Sequence, residues 1–180
     1  IAPTAGYPRH ENQLYRVEIH AVDATGSATF KWSRENGSVV YAVQEVGIDT
    51  VTQRTTVRLA ARGRDANLDL ALNDRVELVD DEAELQGRAG QLFEYLNDGD
   101  DALELVLAGV PAGTLGQDPA RHPVLRRWDH TPAAVGENAL AVEEGDWITL
   151  KDGVQIRFAP GGSYRPGDYW QIPARTVTAD

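Results

Sequence analysis

The side chains able to do chemistry here are four histidines, 28 carboxylates and a few serines, with no cysteine. Thiolate zinc sites, cysteine nucleophiles and disulfide staples are thereby excluded. His10, His20, His122 and His130 form neither a His-x-x-x-His nor a His-Glu-x-x-His pattern. His122, Asp129 and His130 are close enough in sequence to be weighed as metal ligands, but their spacing matches no specific site. The segment Asn97-Asp98-Gly99-Asp100-Asp101 offers hard oxygens, so Asp98, Asp100 and Asp101 are weighed as calcium ligands. It fails the EF-hand pattern, and a solvated turn between strands competes with it. The other acidic clusters, Asp80-Asp81-Glu82-Glu84 and Glu143-Glu144-Asp146, read as turn chemistry. Ser27, Ser33, Ser38 and Ser163 lie outside any Gly-x-Ser-x-Gly elbow. Gly161, Gly162 and Gly167 precede neither a lysine nor a helix, so they make no phosphate loop. No catalytic residue is assigned, and the chain is expected to be non-enzymatic.

The aromatic residues carry more. Trp128, Trp147, Tyr164, Tyr169 and Trp170 crowd the last third of the chain. Exposed, they would form a platform for sugar rings or a protein hot spot. Buried, they would be the core of a small β domain, the usual place for tryptophan.

The elements that must position these groups read as strands. Residues 14–20 alternate, with Tyr15, Val17 and Ile19 on one face and Arg16, Glu18 and His20 on the other. In 29–41, Asn36-Gly37 predicts a hairpin. A two-residue loop would set Trp32 against Tyr41 and Phe30 against Val43; a three-residue loop would set Val40 and Ala42 opposite those aromatics. Both registers bury apolar surface and both stay open. Residues 50–59, 75–79, 102–108 and 123–128 are further strands, and 83–96 reads as one or two helical turns. In 147–158 the pattern selects a three-residue loop, Lys151-Asp152-Gly153, because only that register opposes Leu150 to Val154 and Ile148 to Ile156. A last strand covers 169–172. The chain is therefore expected to be mainly β, an antiparallel sandwich or barrel-like set of hairpins with little helix. The Gly/Pro-rich stretch 109–122 reads as a linker or long loop between a β domain at 1–108 and a smaller hairpin region at 123–180, and whether the two stand apart or pack as one unit stays open.

Composition narrows the partners. Net charge is −11, which disfavours nucleic acid, since binding a polyanion needs basic side chains to displace counterions. Fifteen arginines stand against two lysines, Lys31 and Lys151. No run of 18 apolar residues exists, so no transmembrane helix is expected. No basic n-region precedes an apolar run, so this chain shows no signal peptide. Methionine is absent even at position 1, as expected of a processed product or a piece of something longer.

Three stretches occur together in a distinctive order: 11–20 (ENQLYRVEIH), 30–40 (FKWSRENGSVV), and 145–175, from Gly145-Asp146-Trp147 through Asp152-Gly153-Val154-Gln155-Ile156-Arg157-Phe158 to Gly167-Asp168-Tyr169-Trp170-Gln171-Ile172-Pro173-Ala174-Arg175. The set resembles the DUF6519 family, a family of unknown function. The resemblance implies a structural or host-facing part of a phage-tail-like contractile injection particle, such as baseplate periphery or fibre. Its implied partners are copies of itself, other particle proteins or a cell-surface glycan, and its implied location is extracellular or particle-associated. The family supplies no catalytic residues. The alternative is a carbohydrate-binding module of a secreted protein.

Overall fold

A computed structural model describes residues 12–62, 70–132 and 137–175. The strands are β1 (Gln13–Val22), β2 (Ala28–Ser33), β3 (Val40–Asp49), β4 (Arg54–Leu59), β5 (Arg75–Val79), β6 (Gln91–Asp98), β7 (Glu104–Ala108), β8 (Val124–Trp128), β9 (Leu140–Ala141), β10 (Ile148–Thr149), β11 (Gln155–Ile156) and β12 (Tyr169–Ala174). Among the described residues a short α-helix, α1 (Asp81–Leu85), follows β5, and a 3₁₀ turn covers Pro119–Arg121. The protein is mainly β, as its alternating runs predict, and no described helix is long and apolar enough to cross a membrane.

Six strands close an antiparallel barrel in the order β3-β4-β7-β6-β5-β8. An even strand number lets every neighbour, including the closing β8–β3 pair, run antiparallel. Alternate residues point inward, and Tyr41, Val57, Leu59, Val76, Leu78, Phe93, Leu105, Leu107 and Leu125 fill the interior. Register shifts at Val43/Glu45 and Tyr95/Asn97 bend β3 and β6. Beside the barrel lies a four-stranded sheet, β12-β1-β2-β9, and the β10-β11 hairpin. Tyr15, Val17, Ile19, Phe30 and Trp32 on one face of that sheet form a second core with Leu150, Val154 and Phe158.

Strands from 123–180 pair with strands from 1–108: β8 completes the barrel, while β9 and β12 join the sheet of β1 and β2. Residues 109–122 are tied to the barrel side. Gln91 donates to Val110 O at 2.8 Å and accepts from Ala112 N–H at 2.7 Å. The acidic run after β5 becomes a helix start: Asp80 caps α1 by accepting from Ala83 N–H at 3.0 Å. The helical reading of 83–96 therefore holds only at its beginning. From Gln91 onward β6 takes over, because Phe93 and Tyr95 supply an inward face for the barrel.

The hairpin expected around Asn36-Gly37 does not form. The turn itself does: Asn36 and Gly37 have φ of 54° and 66°, and Ser38 N–H donates to Glu35 O at 2.9 Å. Yet β2 lies between β1 and β9, and β3 lies between β4 and β8. Neither expected register exists, because Phe30 and Trp32 enter the sheet's core while Tyr41 and Val43 enter the barrel's. The turn carries the chain from one core to the other. In contrast, 147–158 folds in the selected register, with Ile148 opposite Ile156 and Leu150 N–H donating to Val154 O at 2.8 Å.

The sheet meets the barrel through its other, polar face. Lys31 on β2 is 1% exposed, and its Nζ lies 2.5 Å from Glu77 Oε1 on β5 and 3.1 Å from Glu18 Oε1 on β1. Glu77 is 2% exposed and accepts two further bonds, from Gly90 N–H at 3.0 Å and Trp128 Nε1–H at 2.9 Å. Gly90 is required for that approach, since a Cβ there would stand 2.5 Å from Leu78 O. Lys31 Nζ also lies 4.5 Å from the centre of the Trp128 ring. Burial acts to raise the Glu77 carboxyl, but the charge and hydrogen bond of Lys31, His20 and the Trp128 bond outweigh it and hold it low.

Lys31→Met leaves Glu77 buried without its cation, and should cost about 3–5 kcal/mol in urea unfolding. Adding Glu77→Leu should recover much of that loss. A single variant as stable as the parent would show that the pair does not hold the two layers together.

His20 and His130 border the same junction, and burial lowers both from 6.5 to about 4, with Lys31 adding to the effect at each. Folded, both rings stay neutral, while the unfolded chain gains protons below about 6.5. Their contribution to stability is therefore complete above that value, falls as pH drops towards 4, and changes no further below it. The melting temperature should decline between pH 7 and 5, above the carboxylate range, and His130→Gln should flatten that decline. A flat profile in the parent would contradict it.

Candidate functional site

β12 forms one wall of a half-open cavity of about 660 Å³. Its alternation divides its side chains: Trp170 and Ile172 face the cavity with Val17, while Tyr169 and Gln171 lie on the opposite face beside Arg16. The facing wall is Trp147, β11 and the segment from Arg157 to Tyr164. Phe158 is the hub. It meets Phe30 of the core at 5.2 Å between ring centres, Tyr164 at 5.7 Å and Trp170 at 5.9 Å, all edge-on. The rim rings are thus fixed to the core through one buried phenyl group.

Glu144 holds the outer loop. Its carboxylate accepts from Gly161 N–H at 2.7 Å, Gly162 N–H at 3.1 Å and the Tyr164 hydroxyl at 3.1 Å. The Gly161 bond above all, with those of Tyr164 and Gly162, keeps the Glu144 carboxyl below its ordinary range. Burial and the adjacent Glu144 raise the Tyr164 phenol. Across the cavity the Arg157 guanidinium lies 5.3 Å from the Trp147 ring centre. The arrangement suits binding: rigid aromatic surface, one cation, few polar groups and a volume in the usual range of about 300–1,000 Å³ for small-ligand sites.

Of the five candidate aromatics, Trp147, Tyr164 and Trp170 come together here. Tyr169 does not; it is about half exposed on the other face of β12, with Arg16 Cζ 3.8 Å from its ring centre. Trp128 is not a surface residue at all. It is 0% exposed, because its position on the outside of the barrel is covered by the sheet. Arg157 and Phe158 were not singled out as site residues, although Phe158 ends the alternating run that predicts the hairpin, and Glu144 was read only as turn chemistry, the role it takes against Gly161 and Gly162.

Two of the three calcium candidates have their carboxylates engaged by other side chains. Asp98 pairs with Arg62 and accepts from the Tyr95 hydroxyl at 2.7 Å, and Asp101 accepts from Arg58 at 3.0 Å. Asp100 offers its backbone N–H to Glu104 at 3.3 Å. His122 meets Asp81 at 2.7 Å, Asp129 pairs with Arg34, and His130 contacts Asn138 O at 2.7 Å, so these three do not converge. His10 lies outside the described residues. Among the described residues no three His, Asp or Glu side chains gather as metal ligands.

The model of DUF6519, a family of unknown function, matches residues 1–180. The chain belongs to that family. No curated protein and no solved structure matches it. For this DUF6519 chain the aromatic cavity is consequently read from its own geometry.

The four tryptophans differ sharply in exposure: Trp147 at 48% and Trp170 at 45%, against Trp32 at 6% and Trp128 at 0%. Acrylamide should quench two of the four freely. Trp147→Phe and Trp170→Phe should each remove an accessible component, and Trp128→Phe a protected one. Uniform quenching would contradict this placement.

Proposed function

We propose that this DUF6519 chain is a non-catalytic adhesive module of an extracellular assembly, such as a phage-tail-like contractile injection particle, and that its cavity binds a cell-surface glycan. The observation that carries the reading is the cluster of Trp147, Tyr164 and Trp170 around a half-open cavity, anchored by Phe158. Sugar rings have apolar C–H faces that stack on such side chains, and exposed aromatic surface of this kind marks an interaction site. The particle context rests on the family resemblance. Freedom from cysteine and methionine, which leaves no thiol or thioether to oxidise outside cells, is compatible with it. The same cavity suits the alternative, a carbohydrate-binding module of a secreted protein.

A second reading, assembly with further copies or particle proteins, is favoured by β12. Among the described strands it pairs only with β1, so its outer edge can accept another strand.

Titration with a panel of soluble cell-surface oligosaccharides should give a saturable change in tryptophan fluorescence. Trp170→Ala should weaken binding by at least about tenfold, as loss of an aromatic anchor does. Fluorescence that ignores the panel rejects glycan binding. Light scattering tests self-assembly, and a monomer at all concentrations rejects the part of the second reading that concerns further copies of the chain.

A further inference from the structure

Most of the described arginines of this acidic chain lie against carboxylates: Arg16 meets Glu18, Arg58 meets Asp101, Arg75 meets Glu94, and Arg34 and Arg127 share Asp129. Arg157 differs. It is exposed, stands over Trp147 and makes no ion pair with any described residue. It is also the one charged side chain among the described residues lining the cavity. The nearby acid, Glu144, is occupied by Gly161, Gly162 and Tyr164. A planar guanidinium held on an aromatic face and left without an anion is a ready partner for a carboxylate, which it can grip with two parallel hydrogen bonds.

We infer that the cavity selects acidic sugars, the ring stacking among Trp147, Tyr164 and Trp170 and the carboxylate meeting Arg157. This rests on the glycan reading of the same cavity. A neutral sugar would gain the stacking but leave the guanidinium to water. An acidic peptide would satisfy Arg157, but its backbone also needs hydrogen-bonding partners. β12 turns the side chains of Trp170 and Ile172 to the cavity rather than its edge, so an extended peptide finds no ladder there.

The test compares three soluble probes on the full chain by calorimetry: an oligosaccharide carrying uronic acid, the neutral oligosaccharide of the same linkage, and a peptide rich in glutamate. The uronic acid form should bind roughly tenfold more tightly than the neutral one, the weight of one charge-assisted contact. Arg157→Gln should weaken the uronic acid form by roughly tenfold and the neutral form by far less, which erases the preference, and Arg157→Lys should retain only part of it. Near-ultraviolet circular dichroism establishes that the variants keep their aromatic packing. Equal affinity for the two sugars overturns the selectivity and leaves glycan binding standing. Binding of neither sugar overturns both. Equal or tighter binding of the peptide overturns the assignment to sugars.

Discussion

The structure depends on one buried ion pair, Lys31 with Glu77, which joins residues 46 positions apart across the seam between sheet and barrel. Removing both charges from water is costly, and their mutual attraction offsets it only when the remaining valences are filled. Here they are filled: Glu77 receives three donors, and Lys31 is shared with Glu18 above the Trp128 ring. Such a contact has strict geometry, unlike an apolar face that can slide. It therefore fixes how β2 lies on β5, and through β1 it fixes where β12 must run.

That placement gives the sheet two unlike faces. The polar face is consumed by the barrel, and the apolar face is left to the C-terminal segment. The covering there is thin, because β10 and β11 are two residues each. It closes over Phe30 and Trp32 through Leu150, Val154 and Phe158, but it does not close over Trp170. The cavity is the part of the sheet's apolar face that this short hairpin leaves open, with the Glu144-bound loop as its far wall. A larger hairpin would have buried the tryptophans and removed the site.

Much of the chain's local structure was legible. Parity within β1 correctly set Tyr15, Val17 and Ile19 inward. The apolar pattern of 147–158 chose its own register because only one alignment opposed like residues, and Asn36-Gly37 made the turn its chemistry demands. The aromatic cluster was recognised as a group, but its members went to three destinations. Tyr169 and Trp170 are neighbours in sequence, and adjacency within a strand sends their rings to opposite faces of β12. Trp128 was indistinguishable from its exposed counterparts, since the sheet that covers it comes from residues near position 31.

The sequence by itself determined the mainly β character, the turns at Asn36-Gly37 and Lys151-Asp152-Gly153, and the inward side of β1, because these follow from backbone sterics and a period of two within a few residues. It also determined the acidic surface and the absence of sulfur chemistry. Only the tertiary structure decided which strands pair, that Asn36-Gly37 links two cores instead of closing a hairpin, and that Trp147, Tyr164, Trp170 and Arg157 share one cavity. Those outcomes hinge on burial and on charge partners distant in sequence, whose free energy exists only once the barrel and the sheet have met.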